Sequence, residues 1–210
     1  MVDVVIPVFN ASDHILETID ELKKVGDIIG EIICVDDGST DKTPVLLDAQ
    51  KDNLRIVTNV KNQGQHGATR IGLLQCDSEW ALTIDDDLPM APNEIRSFIA
   101  QSIDNGGSLN YASYKNHRSR SREVASRVTN RILLDRFGLK GQGSSTRMIN
   151  RTVLDKIARL EKSSKFLDID LLNNAESVNF TEVLALPQST KSRYSAYKLS
   201  KMFFQMLFHR

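Results

Sequence analysis

The stretch Trp80-Ala-Leu-Thr-Ile84-Asp85-Asp86-Asp87-Leu88 is the part of the sequence that indicates the fold most directly. An apolar, β-prone run that ends in three carboxylates is typical of a buried strand with an acidic tip at the carboxyl edge of a sheet, where open α/β folds bind ligands. Adjacent carboxylates repel one another, and hard oxygen ligands suit Mg²⁺ or Mn²⁺ shared with a substrate phosphate. For such a triplet in isolation, a solvated acidic turn is the alternative interpretation.

Strand-like and helix-like segments alternate on both sides of this stretch. Val2 to Val8, Glu31 to Val35 and Leu54 to Val57 have strand patterns, and apolar residues recur at helical spacing from Ile15 to Leu22. This rhythm predicts an α/β fold, with a mostly parallel sheet, helices on both faces and right-handed crossovers. Further along, the patterns predict helices at Pro92 to Ile103, Arg122 to Phe137, Val153 to Leu160 and Leu167 to Ala175, and strands at Leu109 to Tyr114, Thr146 to Ile149 and Thr181 to Leu186.

Three of the predicted strands end in acceptor groups: Phe9-Asn10, Asp36-Asp37 and the acidic triplet. In a parallel sheet these ends lie along one crevice, which predicts a nucleotide site. The Phe9 ring can lie along a base, and the Asp37 carboxylate can accept a hydrogen bond from a base or ribose. Taken alone, Asp36-Asp37-Gly38-Ser39 also fits a strand-to-helix turn with capping oxygens. The phosphate-binding signatures of kinases, ATPases and dehydrogenases are absent from the sequence.

Length and composition indicate one domain with a tail. The chain has 210 residues, of which 40% are hydrophobic and 26% are charged, as in soluble globular proteins. No apolar run approaches the ~20 residues that cross a bilayer. Met1 leads directly into a strand-like run, so we expect a cytoplasmic protein. Cys34 and Cys76 lie in strand and helix patterns, which predicts two buried thiols rather than a disulfide or a metal pair.

Charges are segregated along the chain, although the formal net charge is zero. Every charged residue from Asp77 to Glu94 is acidic, whereas six cations and one acid lie between Lys115 and Arg131. No acid follows Glu182. Acidic and basic segments that meet at one site suit the joint binding of a metal and an anion.

The last segment, Tyr194 to Arg210, has the pattern of an amphipathic helix. Apolar residues recur at helical spacing from Leu199 to Leu207, and Lys198 and Lys201 supply cations. This combination suits the headgroup region of an anionic leaflet, while a helix packed on the protein's own sheet is the alternative. We therefore divide the chain into a domain at residues 1–190 and an amphipathic, basic interface helix at residues 191–210.

Four segments together resemble a known family. VVIPVFN (4–10), CVDDGSTDKT (34–43), NQGQHGATRIGL (62–73) and DDDLPMAPNEI (85–95) are similar, in order and spacing, to the inverting glycosyltransferases of family 2, which have the Rossmann-like GT-A fold. NQGQHGA, GSSTRMINR (143–151) and SRYSAYKL (192–199) resemble most the polyprenyl-phosphate sugar transferases and dolichol-phosphate mannose synthases. The resemblance covers nearly the whole chain.

The resemblance implies roles for the residues at the donor side. Pro7, Phe9 and Asp37 would surround the nucleotide base, next to Asn10 and Asp36 at the same strand ends. Asp85 and Asp87 match the two ends of the family's Asp-x-Asp metal motif, and Asp86 would lie close to the ribose.

On the acceptor side, the resemblance implies that Arg147 and the basic segment 115–131 face the acceptor or the departing diphosphate. Asp170 follows a hydrophobic helix start, where relatives often place an acid, so it is the candidate general base. Asp168 is near enough in sequence to confuse that assignment.

The sequence also departs from the lipid-linked relatives. They usually read Asp-x-Asp-Leu-Gln, and here Pro89 replaces the glutamine that helps to ligate the metal. The usual Arg and Gly before the late Ser-Lys-Tyr-Ser element are absent from Pro187 to Thr190. Undecaprenyl-phosphate members continue into transmembrane helices, whereas this sequence ends at Arg210. We therefore expect that the membrane part belongs to another polypeptide or was removed, or that the acceptor is not undecaprenyl phosphate.

We expect a metal-dependent inverting glycosyltransferase that uses a nucleoside-diphosphate sugar, Mg²⁺ or Mn²⁺, and a lipid-phosphate or glycan acceptor. It would act as a peripheral protein on the inner face of the cell membrane, at the membrane surface or with an integral-membrane partner, and without nucleic acid. The alternatives are a transferase that extends a polysaccharide or lipopolysaccharide chain, and a non-catalytic nucleotide-sugar-binding subunit. A nucleotidylyltransferase is disfavoured, because the loop after the first strand has neither glycine nor a cation.

Overall fold

A computed structural model describes residues 1–115, 135–141 and 143–186. The predicted helix at Tyr194 to Arg210 and most of the one at Arg122 to Phe137 lie outside these residues. The described elements, in chain order, are β1 (Val2–Val8), α1 (Ile15–Lys23), β2 (Ile29–Asp36), α2 (Thr43–Asp48), β3 (Arg55–Thr58), α3 (Gly64–Leu73), β4 (Trp80–Thr83), α4 (Pro92–Asp104), β5 (Leu109–Lys115), β6 (Arg147–Asn150), α5 (Arg151–Ala158), α6 (Leu167–Asn174) and β7 (Val178–Leu184).

One sheet joins all seven described strands, in the order β3-β2-β1-β4-β6-β5-β7. The half formed by β3, β2, β1 and β4 is parallel, and β5 pairs in parallel with β7. β6 runs antiparallel to both of its neighbours, β4 and β5. The predicted α/β fold is therefore confirmed, with a mixed sheet in which the antiparallel strand joins two parallel parts.

The sheet has an apolar core on each face. In β1, Val4 and Ile6 belong to one cluster together with Ile15, Ile19 and Phe98 from α1 and α4. The opposite cluster contains Val5, Ile33 and Leu73, together with Leu171 from α6. Neighbouring residues of β1 thus point to opposite faces, both of which are covered, and this explains why the strand is an almost unbroken apolar run.

Local signals account for several element ends. Pro92 lies in the first turn of α4, where its missing N–H costs nothing, and the Asn150 side chain caps α5 by accepting a hydrogen bond from Val153 N at 3.1 Å. β7 begins three residues before the predicted Thr181, because its pairing with β5 starts at Val178. Cys34 and Cys76 are buried, unbridged thiols, as predicted. Over residues 1–115, 135–141 and 143–186, no helix combines the length and apolar character needed to cross a bilayer.

Candidate active site

The carboxyl ends of β2, β1 and β4 lie side by side at one edge of the sheet. β1 pairs in parallel with β2 on one side and with β4 on the other. At the β1 end, Val8 pairs with Asp36, and Asp37 N donates to the Val8 carbonyl at 2.8 Å. This topology brings together the three strand ends that carry the predicted site residues.

Asp85 accepts hydrogen bonds on both of its carboxylate oxygens. Gln65 Nε2 donates to Oδ1 at 2.6 Å, and Ser145 Oγ donates to Oδ2. Burial raises the pKa of Asp85, as does the charge of Asp87, while the hydrogen bonds and the Arg147 charge act in the opposite direction. The crowded negative charge at the end of β4 therefore favours a nearby cation.

The backbone turns sharply around the other two aspartates. Thr18 Oγ1 donates to the carbonyl of Asp86 at 2.7 Å, and His14 Nε2 lies 3.6 Å from Asp86 Oδ1, so α1 packs against the triplet. Leu88 has a φ of 42°. That left-handed conformation costs a non-glycine residue about 1–3 kcal/mol, and it changes the chain direction directly after the turn at Asp86 and Asp87.

The donor set at this turn fits Mg²⁺ or Mn²⁺ held together with a substrate phosphate. No group of three or more His, Cys, Asp or Glu side chains within the described part of the chain forms a complete metal site. Magnesium sites often use only one or two carboxylates and take further oxygens from substrate phosphates and water. Asp85 and Asp87 can supply such a pair, whereas Pro89 has no side-chain ligand atom.

Asp37 is buried and holds the start of α3. Its Oδ1 accepts hydrogen bonds from Asn59 Nδ2 at 2.9 Å and Gln63 N at 2.8 Å, and its Oδ2 accepts one from Gly64 N at 2.8 Å. These two backbone groups belong to the N-terminal turn of α3, which lacks intrahelical partners for them. Asp37 thus ties the end of β2 to the helix that carries Gln65.

The loops after β1 and β2 are joined to each other. Asn10 N donates to Ser39 Oγ at 2.9 Å, and Asn10 Oδ1 accepts from Thr40 N at 2.8 Å. Asp36 Oδ1 accepts from Ser39 N at 3.0 Å, a turn contact within this motif, whereas α2 begins at Thr43 without a capping hydrogen bond from the side chain of its N-cap residue. Phe9 is 41% exposed at the same edge, and Pro7 lies one residue before the end of β1.

Arg147 lies in a buried ion pair with Asp168. Its Nε and Nη2 donate to the two carboxylate oxygens of Asp168, each at 2.8 Å, and its Nη1 donates to the Ser145 carbonyl at 2.8 Å. Tyr111 Oη donates to Asp168 at 2.8 Å. Burial opposes both charges, yet Asp168 raises the pKa of Arg147 and Arg147 lowers the pKa of Asp168. That Arg147 contacts the acceptor or the diphosphate stays a prediction.

Asp170 lies in a second buried cluster, between α3 and α6. It accepts hydrogen bonds from Arg70 Nη2 and from Ser164 N, the latter at 2.9 Å. His66 packs edge-on against Phe166, with ring centroids 5.6 Å apart, and burial lowers the pKa of His66. The role of Asp170 as a general base also stays a prediction.

Gln65 and Ser145, which contact Asp85, have no role in the sequence interpretation, and neither do Thr18 and His14, which contact Asp86. Gln65 lies in the glycine-rich entry to α3, and Ser145 follows the glycine-rich segment before β6. Their positions in these two motifs are the only signals that single them out. Residues 116–131 of the basic segment, which was predicted on the acceptor side, and the predicted interface helix at residues 191–210 are outside the described residues.

Comparison with known proteins identifies the family. The family model described as Glycosyl transferase family 2 matches residues 3–158. The chain belongs to glycosyl transferase family 2. This confirms the resemblance drawn from the four motifs, and the matched range contains every predicted donor-side residue.

Two relatives within the family are undecaprenyl-phosphate 4-deoxy-4-formamido-L-arabinose transferases. The protein of Pseudomonas fluorescens (strain SBW25) is 31% identical over 223 residues, covering 98% of this chain and 63% of the relative. The protein of Proteus mirabilis (strain HI4320) is 29% identical over 218 residues, covering 98% of this chain and 66% of the relative. The chain thus spans slightly less than two thirds of the length of these curated relatives.

Solved structures share the GT-A architecture of family 2. Glucosyl-3-phosphoglycerate synthase from Mycobacterium tuberculosis, in complex with Mn²⁺ and UDP-glucose, superposes with a TM-score of 0.74 at 19% identity, over 99% of this chain and 77% of that one. S. aureus TarS in complex with UDP-GlcNAc gives 0.64 at 18% identity, over 96% and 64%. At these identities the likeness establishes the fold.

Proposed function

We propose that this chain is the catalytic part of a metal-dependent inverting glycosyltransferase, which moves a sugar from a nucleoside-diphosphate sugar to a polyprenyl phosphate. The observation that carries the proposal is the position of Asp85 and Asp87 at the end of β4, beside the loops that follow β1 and β2. Family membership supports the reaction class, and the names of the curated relatives support the acceptor class.

The donor nucleotide would lie along the loops after β1 and β2. Phe9, with 41% of its surface exposed, offers a ring face to the base. Asp37, Pro7, Asn10 and Asp36 would border the same nucleotide, and Asp86 would lie near the ribose. The UDP and UDP-sugar complexes of the structural neighbours support a uridine nucleotide.

Asp85 and Asp87 would hold the metal alongside the donor diphosphate. When bound, Mg²⁺ or Mn²⁺ neutralises negative charge on the leaving diphosphate. The Mn²⁺ complexes of glucosyl-3-phosphoglycerate synthase support a divalent cation without choosing between the two metals.

The acceptor oxygen would attack the anomeric carbon from the side opposite the diphosphate, which inverts the configuration. A phosphate acceptor is already anionic and needs no general base, whereas a sugar hydroxyl needs one. Asp170 is the candidate base, but its oxygens accept hydrogen bonds from Arg70 and Ser164. Because these contacts compete with a substrate hydroxyl, they favour the phosphate acceptor.

Membrane association belongs to the same proposal. Residues 1–190 would form the catalytic domain, and residues 191–210 would hold it as a peripheral protein at the inner face of the cell membrane. The sequence pattern of the last segment supports this division, as does the polyprenyl-phosphate acceptor in the names of the relatives.

Donor breakdown tests the enzyme directly. With Mn²⁺ and a UDP-sugar, the protein should release UDP slowly even without an acceptor, because water can attack the activated anomeric carbon. Polyprenyl phosphate should accelerate the release. Asp87→Asn should abolish Mn²⁺-dependent UDP binding and release while leaving the fold intact. The control is Asp77→Asn, which changes a side chain that is 87% exposed and lies outside the triplet.

A nucleotide-sugar-binding subunit without turnover is the second candidate, and Pro89 favours it because this position lacks the ligand found in the lipid-linked relatives. Tight Mn²⁺-dependent UDP binding with no release under any acceptor would establish that candidate. Release that requires a glycan hydroxyl rather than a lipid phosphate would instead indicate a chain-extending transferase.

A further inference from the structure

We propose that Gln65 and Ser145 are positioning residues for Asp85, which hold its carboxylate ready for the metal through hydrogen bonds from two separate parts of the fold. The inference rests on the proposed function, because it assumes that Asp85 is a metal ligand. It adds two residues that act through Asp85 and need no contact with the substrate.

The two donors occupy different oxygens of Asp85. Gln65 Nε2 donates to Oδ1 at 2.6 Å, from the first turn of α3, and Ser145 Oγ donates to Oδ2, from the residues just before β6. A carboxylate has about four lone-pair positions on its two oxygens, so both donors leave room for a cation. With both oxygens engaged, the side chain is held in one orientation although the charge of Asp87 repels it.

Ser145 is itself held rigidly by its backbone carbonyl. That carbonyl accepts hydrogen bonds from Thr83 Oγ1 at 2.6 Å and from Arg147 Nη1 at 2.8 Å. Thr83 is the last residue of β4, and Arg147 is anchored by its two hydrogen bonds to Asp168. The Ser145 hydroxyl is therefore placed by the same strand that delivers Asp85.

Gln65 is held by hydrogen bonds within α3 and to the loop after β2. Its carbonyl accepts a hydrogen bond from Thr69 Oγ1 at 2.7 Å, and the preceding residue, Gly64, donates its N–H to Asp37 at 2.8 Å. Asp37 follows β2, so the Gln65 side chain is tied to the predicted nucleotide loop. The two donors to Asp85 thus come from separate parts of the fold, each fixed by its own hydrogen bonds.

Groups that orient metal ligands typically change metal affinity by about 10- to 100-fold when they are removed. We therefore expect Ser145→Ala and Gln65→Leu each to weaken Mn²⁺ binding by about 10-fold or more. Ser145→Thr keeps a hydroxyl at the same position and should retain most of the affinity. The matched control is Ser144→Ala, because the Ser144 hydroxyl donates to the Thr146 carbonyl at 2.9 Å and not to Asp85.

The experiment measures Mn²⁺ affinity in the presence of saturating UDP, by titration followed with the electron paramagnetic resonance signal of free Mn²⁺. Circular dichroism and thermal unfolding without metal identify any variant that fails to fold. If only one of Ser145→Ala and Gln65→Leu folds, the Mn²⁺ affinity of that variant tests the proposal. If neither folds, Ser145→Thr and Ser145→Cys replace them: the threonine should bind Mn²⁺ at least 10-fold more tightly than the cysteine, a weak donor.

The possible outcomes separate the two proposals. If the wild-type protein does not bind Mn²⁺ with UDP, the metal-dependent function fails and this inference fails with it. If the wild type binds and the folded variants bind equally well, only the positioning role is overturned. Loss of affinity in Ser145→Ala and Gln65→Leu, with wild-type affinity in Ser144→Ala, supports both.

Discussion

The surroundings of Asp85 oppose its ionisation. Burial and the neighbouring Asp87 raise its pKa, although Ser145 and Gln65 stabilise the ionised form. A folded-state pKa above the unfolded value means that ionisation of Asp85 reduces stability as the pH rises through the folded pKa. Without metal, the site therefore stores part of the repulsion that a bound cation would relieve.

Asp85→Asn should accordingly raise the midpoint of thermal unfolding of the metal-free protein at neutral pH. The gain should shrink as the pH falls through the raised pKa, and vanish below the ordinary value of 3.8, where the wild-type carboxyl is protonated in both states. Differential scanning calorimetry between pH 3 and pH 7 measures this dependence. The exposed Asp13→Asn serves as the control, and an equal or lower midpoint for Asp85→Asn at neutral pH would contradict the prediction.

The Arg147–Asp168 pair depends on both of its members. Their side chains are almost completely buried, so Asp168→Asn should cost about 3–5 kcal/mol of unfolding free energy, because an unpaired guanidinium stays in the interior. The Asp168 pKa is lowered, so the contribution is present above the unfolded pKa and is lost as the pH falls through the folded pKa. Urea unfolding measures the change.

Two controls distinguish the loss of the ion pair from a general loss of stability. One is a double variant of the buried pair, and the other is a variant of an exposed ion pair. Replacing both members by Met and Leu removes the buried charges together and should cost less than Asp168→Asn. Asp27→Asn breaks an exposed pair with Arg96, in which the aspartate is 89% exposed, and should cost at most about 1 kcal/mol. If Asp168→Asn costs no more than this exposed control, Asp168 is not needed to hold Arg147.

Among the elements, helix α3 forms hydrogen bonds with three separate parts of the site. Its first turn is bound by Asp37 after β2, Gln65 reaches Asp85 after β4, and Arg70 reaches Asp170 in α6. The helix also lies very close to the sheet at Gly72. An added Cβ there would lie 2.4 Å from Val5 Cγ1 and 2.9 Å from Val35 Cγ2.

Gly72→Ala should therefore lift α3 from the sheet and cost about 1–3 kcal/mol of unfolding free energy, as overpacked cores do. Because Gln65 moves with the helix, Mn²⁺ affinity should fall in the same variant. The test is a double-mutant cycle with Val5→Ala, in which the added methyl group fills the space left by the valine. The double variant should be less destabilised than the sum of the single variants, and strict additivity would contradict the close approach.

At the scale of the whole chain, some segments of the sequence are mainly acidic and others mainly basic, and the last segment has the composition of a membrane-surface helix. Each basic residue near an anionic leaflet contributes roughly 1 kcal/mol of binding. A protein held in this way binds weakly and responds to salt, because attraction between exposed charges is screened over about 8–10 Å at physiological ionic strength.

Cosedimentation with anionic phospholipid vesicles tests that segment. The chain should bind at low salt, and the double substitution Lys198→Glu and Lys201→Glu should reduce the binding by at least 10-fold, through loss of about 1 kcal/mol per cation and added repulsion. Lys51→Glu with Lys61→Glu changes the net charge equally at exposed positions and should have a much smaller effect. If both pairs reduce binding equally, or the wild type ignores the vesicles at every salt concentration, residues 191–210 are not the membrane contact.

The order of the elements and the placement of three strand ends that carry acceptor groups were predictable from the sequence. Both depend on local properties: the period of apolar residues within a segment, and the residue type that follows each strand. Val2–Val8 as a buried strand, Pro92 at the start of α4 and the triplet after β4 follow from such signals. Their meeting at one edge follows from the parallel order of neighbouring strands.

Contacts between distant segments were decided only by the tertiary structure. Ser145 reaches Asp85 across 60 residues of sequence, and that contact depends on β6 entering the sheet antiparallel to β4. Arg147 has the charge of an anion-binding residue. Its pairing with Asp168 requires α6 to pack against β5 and β6, which no local sequence pattern indicates. The physical reason is that the residue pattern of a segment determines only which of its own faces is buried. The residues that pack against that face depend on strand order and direction, which other segments determine.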